Sequence, residues 1–492
     1  MGERFFSGEY GVSREDLDEY GAFDISLLTD LPLFIDPFLL FNSSNPKYRA
    51  LHEEIIHYLQ YLCEKSACQV GNSGLVQALY AFPEVSQTWL GFAAKSNRGL
   101  GLGKSFARAL NRNLGTVLSS FGSETVTRSS HIEKLCLIEG GVGRDKISDF
   151  VTNLILGYLA EYTQTFAEAH IAPDRLSLFA IRRSRFNYST GSWETRTYRL
   201  PSFGHTFVIL TPKDLLSKDD TWINRSDLAD YYDAIPDAIP DVQLRALVNE
   251  YFASLIPTNP KEAKKEKLRV VWEVARQYPV VIDYYIRDKE LDGDRATSVS
   301  QNLVRGSEQL YVEQFGELAA QLDFSTAPRQ VPVDSFAAVL ARARYLKHVV
   351  EDCDGYRLFY VDGQPIHRES DLHILYRLTW FGSTFDVNQE VNNGRGPVDY
   401  AVSMGSHDKT LVEFKLASNS KLRQNLEAQL PVYEHASDTH KSIEVIFFFT
   451  ASQEDRVRGI MNTLHVNEDD RLILVDARSD NKPSGSAAEV PV

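Results

Sequence analysis

The sequence has few cysteines, no long apolar run and no excess of positive charge, and each absence argues against a class of protein. Its 492 residues include four cysteines without CxxC spacing, so a zinc ribbon is not expected. No stretch approaches the ~20 consecutive apolar residues of a membrane-spanning helix. The first ten residues also lack the apolar segment of a secretory leader. We therefore expect a cytoplasmic chain with reduced thiols and no membrane partner.

The charge balance is acidic, with 52 Lys and Arg against 67 Asp and Glu and a formal net charge of −15. Proteins that coat nucleic acid without specificity are usually basic, so a histone-like binder is not expected. An enzyme that meets nucleic acid through a local basic patch remains compatible with this balance. Arg182-Arg183-Ser184-Arg185-Phe186-Asn187-Tyr188 could form such a patch, by contacting phosphates and stacking a base. A solvated strand or loop face is the alternative.

The composition is that of a globular protein, and the length allows two to four domains. Residues 1–328 are expected to form a mainly helical α+β region for recognition or regulation, with a possible sub-boundary near 257–262. Residues 331–476 alternate helical and strand patterns, which predicts a compact mixed α/β domain. Residues 478–492 are rich in Ser, Gly, Pro and Ala and are expected to form a disordered tail. The predicted architecture is therefore multidomain.

Local patterns give more specific expectations for the first region. Apolar residues recur at helical spacing over 46–63 and again over 149–167, which predicts two amphipathic helices. Residues 194–200 and 205–210 have strand character and are separated by Pro201-Ser202-Phe203-Gly204. We therefore expect two short strands there within a helical region.

Two apolar strands over 398–403 and 410–416 enclose a turn with Gly, Ser and Asp, which predicts a hairpin. If the turn centres on Ser406, then Asp399 and Glu413 lie directly opposite each other. Opposed residues share a face of the sheet, with their Cβ atoms about 4.5–5.5 Å apart. The hairpin is therefore expected to bring two carboxylates together.

Lys415 shares the face of Glu413, because strand side chains alternate, while Phe414 between them points to the opposite, buried face. Two adjacent carboxylates repel unless a cation lies between them, and this spacing of oxygen ligands suits Mg²⁺ or Mn²⁺. Lys415 is expected to lie too far along the strand to neutralise both acids. It is placed instead to act on a water molecule or a phosphate oxygen. An exposed hairpin with a salt bridge is the alternative.

Glu369 is a candidate third carboxylate, because it begins a helix predicted over 369–380. An acid in the first turn is also favourable for the helix dipole alone, so both interpretations stay open.

The order Glu369, Asp399, Glu413-Phe414-Lys415 resembles that of the PD-(D/E)XK nuclease superfamily. The resemblance implies a restriction-endonuclease-like mixed sheet flanked by helices, and a nuclease that uses Mg²⁺, with Mn²⁺ as a substitute. It implies that Glu369, Asp399, Glu413 and the backbone carbonyl of Phe414 are the metal ligands. It also implies that Lys415 activates the attacking water or stabilises the charged phosphate.

Gln429 and Tyr433 form a QxxxY pair on a helix predicted over 422–435. This pair is similar to that of the RecB-like branch of the superfamily, which implies that both residues belong to the catalytic site beside the DNA strand. The resemblance covers residues 331–476, under a third of the chain. Stand-alone nucleases with long N-terminal regions resemble bacterial anti-phage defence proteins.

The sequence therefore predicts a DNA endonuclease, with a nucleic-acid-binding sensor of weak activity or a ribonuclease as alternatives. Residues 331–470 contain 14 Lys and Arg against 21 Asp and Glu, so this region is not itself basic. We expect a partner protein, a homo-oligomer or the segment 182–185 to hold the nucleic acid.

Overall fold

The structure is a computed structural model of the 492-residue chain. It describes residues 5–66, 73–91, 102, 106–107, 110, 121–138, 142–218, 220–317, 334–361, 363–380, 385–392, 397–405, 408–427 and 441–482.

The α-helices, in chain order, are α1 (Phe6–Tyr10), α2 (Arg14–Tyr20), α3 (Pro37–Asn42), α4 (Pro46–Ser66), α5 (Ser73–Tyr80), α6 (Lys134–Ile138), α7 (Arg144–Leu154), α8 (Leu156–His170), α9 (Arg225–Tyr231), α10 (Ile235–Ala238), α11 (Val242–Leu255), α12 (Pro260–Gln277), α13 (Val280–Leu291), α14 (Gly293–Ser307), α15 (Ser335–Asp352), α16 (Glu369–Leu378) and α17 (Ala451–Leu464). The strands are β1 (Leu33–Ile35), β2 (Leu176–Asn187), β3 (Ser192–Phe203), β4 (Thr206–Phe207), β5 (Leu216–Lys218), β6 (Tyr360–Val361), β7 (Gln364–Pro365), β8 (Asp386–Asn392), β9 (Pro397–Ser403), β10 (Lys409–Leu416), β11 (Ser442–Phe448) and β12 (Leu472–Asp476). No helix in the described ranges is long and apolar enough to cross a bilayer.

Helix α4 confirms the helix predicted over 46–63, and the range 149–167 is also helical as predicted, but it is divided between two helices. The chain forms α7 and α8, and the backbone leaves helical geometry at Ile155, where φ is −99° and ψ is 10°. Gly157 of α8 then lies so close to β2 that a Cβ atom added to it would meet the carbonyl oxygen of Ser184 at 2.0 Å. This close approach is a tertiary contact that amphipathic periodicity cannot reveal.

The strand predicted over 194–200 is confirmed within β3, which pairs antiparallel with β2. The strand predicted over 205–210 is reduced to the two residues of β4. The N–H groups of Val208, Ile209 and Leu210 donate to three unrelated acceptors, two loop or strand carbonyls and the Thr163 hydroxyl. These apolar residues are buried, but without a common partner strand they form no ladder.

The C-terminal sheet is mixed and five-stranded, in the order β12-β11-β10-β9-β8. Strands β8, β9 and β10 pair antiparallel, whereas β10, β11 and β12 pair parallel. Helices flank both faces. On one face, Phe414 and its alternate neighbours join the main core with α15 and α16. On the other face, Ile446 and Leu474 pack against Val457 and Met461 of α17. The mixed sheet flanked by helices that the sequence predicts is thus observed.

Buried contacts connect the region before residue 317 with the C-terminal sheet. The Tyr311 hydroxyl donates to Asp371 of α16 at 2.7 Å, and the rings of Phe315 and Phe359 lie 5.7 Å apart. The predicted boundary at 328–331 falls outside the described residues. The possible sub-boundary at 257–262 overlaps the short connection between α11 and α12 and the first residues of α12.

The C-terminal tail predicted from residue 478 begins with described residues. Arg478 donates to Glu454 of α17 at 3.1 Å and also contacts Asp480. Residues beyond 482 lie outside the described part of the chain.

Candidate functional site

The hairpin of β9 and β10 has the register that the sequence predicts. Its pairs run from Lys409 opposite Ser403 to Val412 opposite Tyr400, which corresponds to a turn centred on residue 406. Continued by one step, the same register places Glu413 beside Asp399.

The pairing of the two backbones ends at Val412 and Tyr400. Beyond this pair, the side chain of Asp399 accepts a hydrogen bond from the backbone of β10. The N–H group of Phe414 donates to Asp399 Oδ2 at 2.7 Å, which draws this carboxylate against the backbone of β10. The backbone of Phe414 therefore borders the acidic pair. Whether its carbonyl binds a metal stays a prediction of the resemblance.

Lys415 projects from the same face and contacts three carboxylates. Its Nζ atom lies 2.7 Å from Glu413 Oε2, 3.8 Å from Glu369 Oε2 and 3.9 Å from Asp399 Oδ2. The expectation that Lys415 is too far along the strand to neutralise both acids is therefore wrong. Strand spacing alone does not reveal these contacts, because the four-carbon side chain is long enough to fold back between the acids. Only 8% of the side chain is exposed.

Helix α16 contributes two residues to the site from its first two turns. Glu369 Oε1 accepts from the N–H group of Leu416 at 3.1 Å and from the amide of Asn419 at 2.8 Å. One turn later, His373 Nε2 lies 3.1 Å from Asp399 Oδ2. His373 is not among the predicted site residues, although its i, i+4 spacing from Glu369 places both residues on one face of the helix.

Glu444 of β11 is a second site residue that was not predicted from the sequence. It pairs with Glu413 in the parallel register, so both side chains point to the same face of the sheet. Glu413 and Glu444 are each only 2% exposed. The sequence does contain a signal for Glu444, because this acid interrupts an apolar strand much as Glu413 does. Only the order of the strands in the sheet, however, makes the two residues neighbours.

The burial of these charges shifts their pKa values in opposite directions. Burial alone would raise the pKa of Asp399, but the imidazole of His373 and the ammonium of Lys415 outweigh it, so the pKa falls. Burial, together with the negative charge of Asp399, raises the pKa of Glu413 despite the attraction of Lys415. Burial likewise raises the pKa of Glu444 to about 7. The pKa of Lys415 is raised, because its three carboxylate neighbours outweigh the effect of burial.

The donor set suits a hard divalent cation by its chemistry. Mg²⁺ and Mn²⁺ prefer carboxylate oxygens, and among the described residues the site brings four carboxylates together with one lysine and one histidine. Two buried oxygens, Glu413 Oε1 and Glu444 Oε2, have no hydrogen-bond partner in the described structure. In the ranges that are described, no three acidic, histidine or cysteine side chains are already arranged around a common cation position. The ammonium of Lys415 lies among the carboxylates instead.

The structure brings together Glu369, Asp399, Glu413 and Lys415 of the predicted site. Gln429 and Tyr433, the predicted QxxxY pair, lie outside the described residues. The helix predicted over 422–435 is described only for residues 422–427, which are helical.

Comparison with known proteins gives two matches to family models, each described as a domain of unknown function. DUF8370 matches residues 11–224, and DUF8371 matches residues 335–451. The second range contains Glu369, Asp399, Glu413, Lys415 and Glu444. No curated protein and no solved structure matches the chain.

Proposed function

We propose that the protein is a Mg²⁺-dependent nuclease that hydrolyses phosphodiester bonds, with DNA as its substrate and internal cleavage as its mode. The observation that carries the proposal is the buried cluster of Asp399, Glu413 and Lys415 at the end of the β9–β10 ladder. Burying several carboxylates together is costly, and it does not by itself stabilise the fold. The cluster therefore favours a function that uses its charges.

Asp399, Glu413 and Glu369 are the residues that would hold the metal ion. A bound Mg²⁺ would polarise a phosphate oxygen and lower the pKa of a coordinated water molecule. Two hydrogen bonds support this assignment, because Glu369 and Asp399 each accept a backbone N–H group of β10, from Leu416 and Phe414 respectively. These hydrogen bonds fix the orientation of both carboxylates.

Lys415 supplies the positive charge of the site in this proposal. Its raised pKa keeps the ammonium protonated at neutral pH. A protonated lysine can donate to a phosphate oxygen as negative charge develops there, and a preorganised donor of this kind contributes about 10²–10³ in rate. His373 contacts Asp399 and holds the orientation of its carboxylate.

The nucleic acid needs a surface other than the acidic C-terminal region. Arg182 and Arg185 of β2 are exposed, whereas Arg183 between them turns inward and donates to the carbonyl of Ala81 at 2.8 Å. The β2–β3 hairpin thus offers two arginines to a phosphate backbone. We propose this hairpin as part of the contact with DNA.

A cleavage assay tests the proposal. Linear, circular and single-stranded DNA and RNA are incubated with the full-length protein in Mg²⁺ or in EDTA. We expect Mg²⁺-dependent cutting of DNA, including circular DNA, and a loss of about 10²-fold or more in Asp399→Asn.

Asp408→Asn is the matched control, because Asp408 lies at the turn end of the same hairpin and contacts Ser335 and Lys441 instead of the site. This variant should cut at the wild-type rate. Cutting of RNA alone would support the ribonuclease alternative. The absence of any cutting would support a nucleic-acid-binding sensor, and normal cutting by Asp399→Asn would refute the assigned site.

A further inference from the structure

The parallel pairing of β10 with β11 creates a second pair of adjacent carboxylates, distinct from the pair within the hairpin. Glu413 and Glu444 are register partners, and neighbouring strands lie about 4.8 Å apart. Both side chains point to the same face and are almost completely buried. Two acids are thus held side by side by the backbone of two central strands.

The hydrogen bonds of these residues leave one oxygen of each acid unsatisfied. Lys415 donates to Glu413 Oε2 at 2.7 Å, whereas Glu413 Oε1 has no partner in the described structure. Glu444 Oε2 is also buried without a partner. A buried carboxylate oxygen without a donor or a cation carries a large desolvation cost. Because these two oxygens belong to acids that are register partners on adjacent strands, one positive ligand between them could satisfy both.

The charges around the pair support a cation. Glu444 interacts electrostatically with Asp399 and Glu369 as well as with Lys415. The ammonium of Lys415 is already engaged by the other oxygen of Glu413, at 2.7 Å. Like charges in a buried site are tolerated when a cation lies between them.

We propose that Glu444 and Glu413 together bind a divalent cation, Mg²⁺ or Mn²⁺, at a position separate from the one between Asp399 and Glu413. Glu444 is then a metal ligand on β11. The inference shares Glu413 with the proposed nuclease site and rests on that site being a cation centre. It is tested by binding, so it can fail or succeed independently of cleavage.

The experiment is a calorimetric titration of the full-length protein with Mn²⁺, free of nucleic acid. We expect two Mn²⁺ ions per chain in the wild type and one in Glu444→Gln. The affinity for the lost ion should fall by about tenfold or more. Asp399→Asn should also retain one ion, whereas Glu413→Gln, which removes the shared ligand, should weaken both.

Glu133→Gln is the matched control for replacing a buried glutamate. Glu133 is 1% exposed, and its two carboxylate oxygens lack hydrogen-bond partners in the described structure, but it lies far along the chain in the N-terminal region. Its replacement should leave both Mn²⁺ ions bound. Thermal unfolding in EDTA verifies that every variant is folded. If Glu444→Gln does not fold, Glu444→Asp is titrated instead, and it should bind two ions with the second one weakened.

A folded Glu444→Gln variant that binds Mn²⁺ with the stoichiometry and affinity of the wild type would overturn the inference. Glu444 would then be a buried acid that stays protonated. If wild-type protein binds Mn²⁺ in this way but cuts no nucleic acid, the cation position stands and the proposed nuclease activity fails.

Discussion

Replacing Lys415 with methionine tests whether the cluster depends on its ammonium. At an effective dielectric constant of about 20, the 2.7 Å contact with Glu413 Oε2 corresponds to about 6 kcal/mol of attraction. Desolvation of the ammonium offsets much of this attraction. Removing one partner from a buried ion pair costs about 3–5 kcal/mol, because the other charge is left uncompensated. We therefore expect Lys415→Met to lower the free energy of unfolding by about 3–5 kcal/mol at pH 8 in EDTA.

The loss should grow with pH. Without Lys415, the pKa of Glu413, which burial and the charge of Asp399 already raise, rises further above that of the unfolded chain. The folded state then holds protons that the unfolded state releases, so stability falls as pH rises through this interval. At pH 5 the difference from wild type should accordingly be smaller than at pH 8. Adding Mg²⁺ should restore part of the stability, about 2.7 kcal/mol at a hundredfold excess over the dissociation constant.

Urea unfolding of the full-length protein gives the measurement, and Lys441→Met is the matched control. Lys441 also contacts two carboxylates, Asp334 at 2.9 Å and Asp408 at 3.0 Å, but 39% of its side chain is exposed. Exposed pairs contribute about 0–1 kcal/mol, so this variant should change little. Equal losses for the two variants, or a Lys415→Met protein as stable as wild type at pH 8, would refute the reasoning.

Two further predictions concern the N-terminal region. The double variant Arg182→Ser/Arg185→Ser should weaken DNA binding and reduce the slope of log K against log salt by about 2, measured by fluorescence anisotropy, whereas Arg269→Ser on an exposed face of α12 should not. If the double variant kept the wild-type slope, the β2–β3 hairpin would not be part of the contact with DNA. Burial and the negative charge of Asp36 raise the pKa of Glu133 to about 8, so the folded state holds a proton that the unfolded chain releases above about pH 4.5. Wild-type stability should fall relative to Glu133→Gln between pH 5 and pH 8, by roughly 2–4 kcal/mol in urea unfolding, and a pH-independent difference would contradict this assignment.

The hairpin and its register were determined by the sequence alone. Strand alternation and turn composition are local properties, and together they placed Asp399 beside Glu413 without any knowledge of the rest of the fold. The helix that carries Glu369 was equally accessible, because its amphipathic pattern and its acidic first turn are contiguous in the chain. These elements suffice to locate the candidate site on a mixed sheet.

Tertiary structure decided everything that depends on which strands and helices are neighbours. Glu444 enters the site because β11 pairs with β10 in parallel, and His373 because α16 packs beside the end of the β9–β10 ladder. The contact of Lys415 with three carboxylates likewise depends on side-chain conformation and on burial, neither of which is a property of strand spacing. Sequence patterns record the periodicity of each element, whereas the distances that set the charge of this site arise only when separate elements pack together.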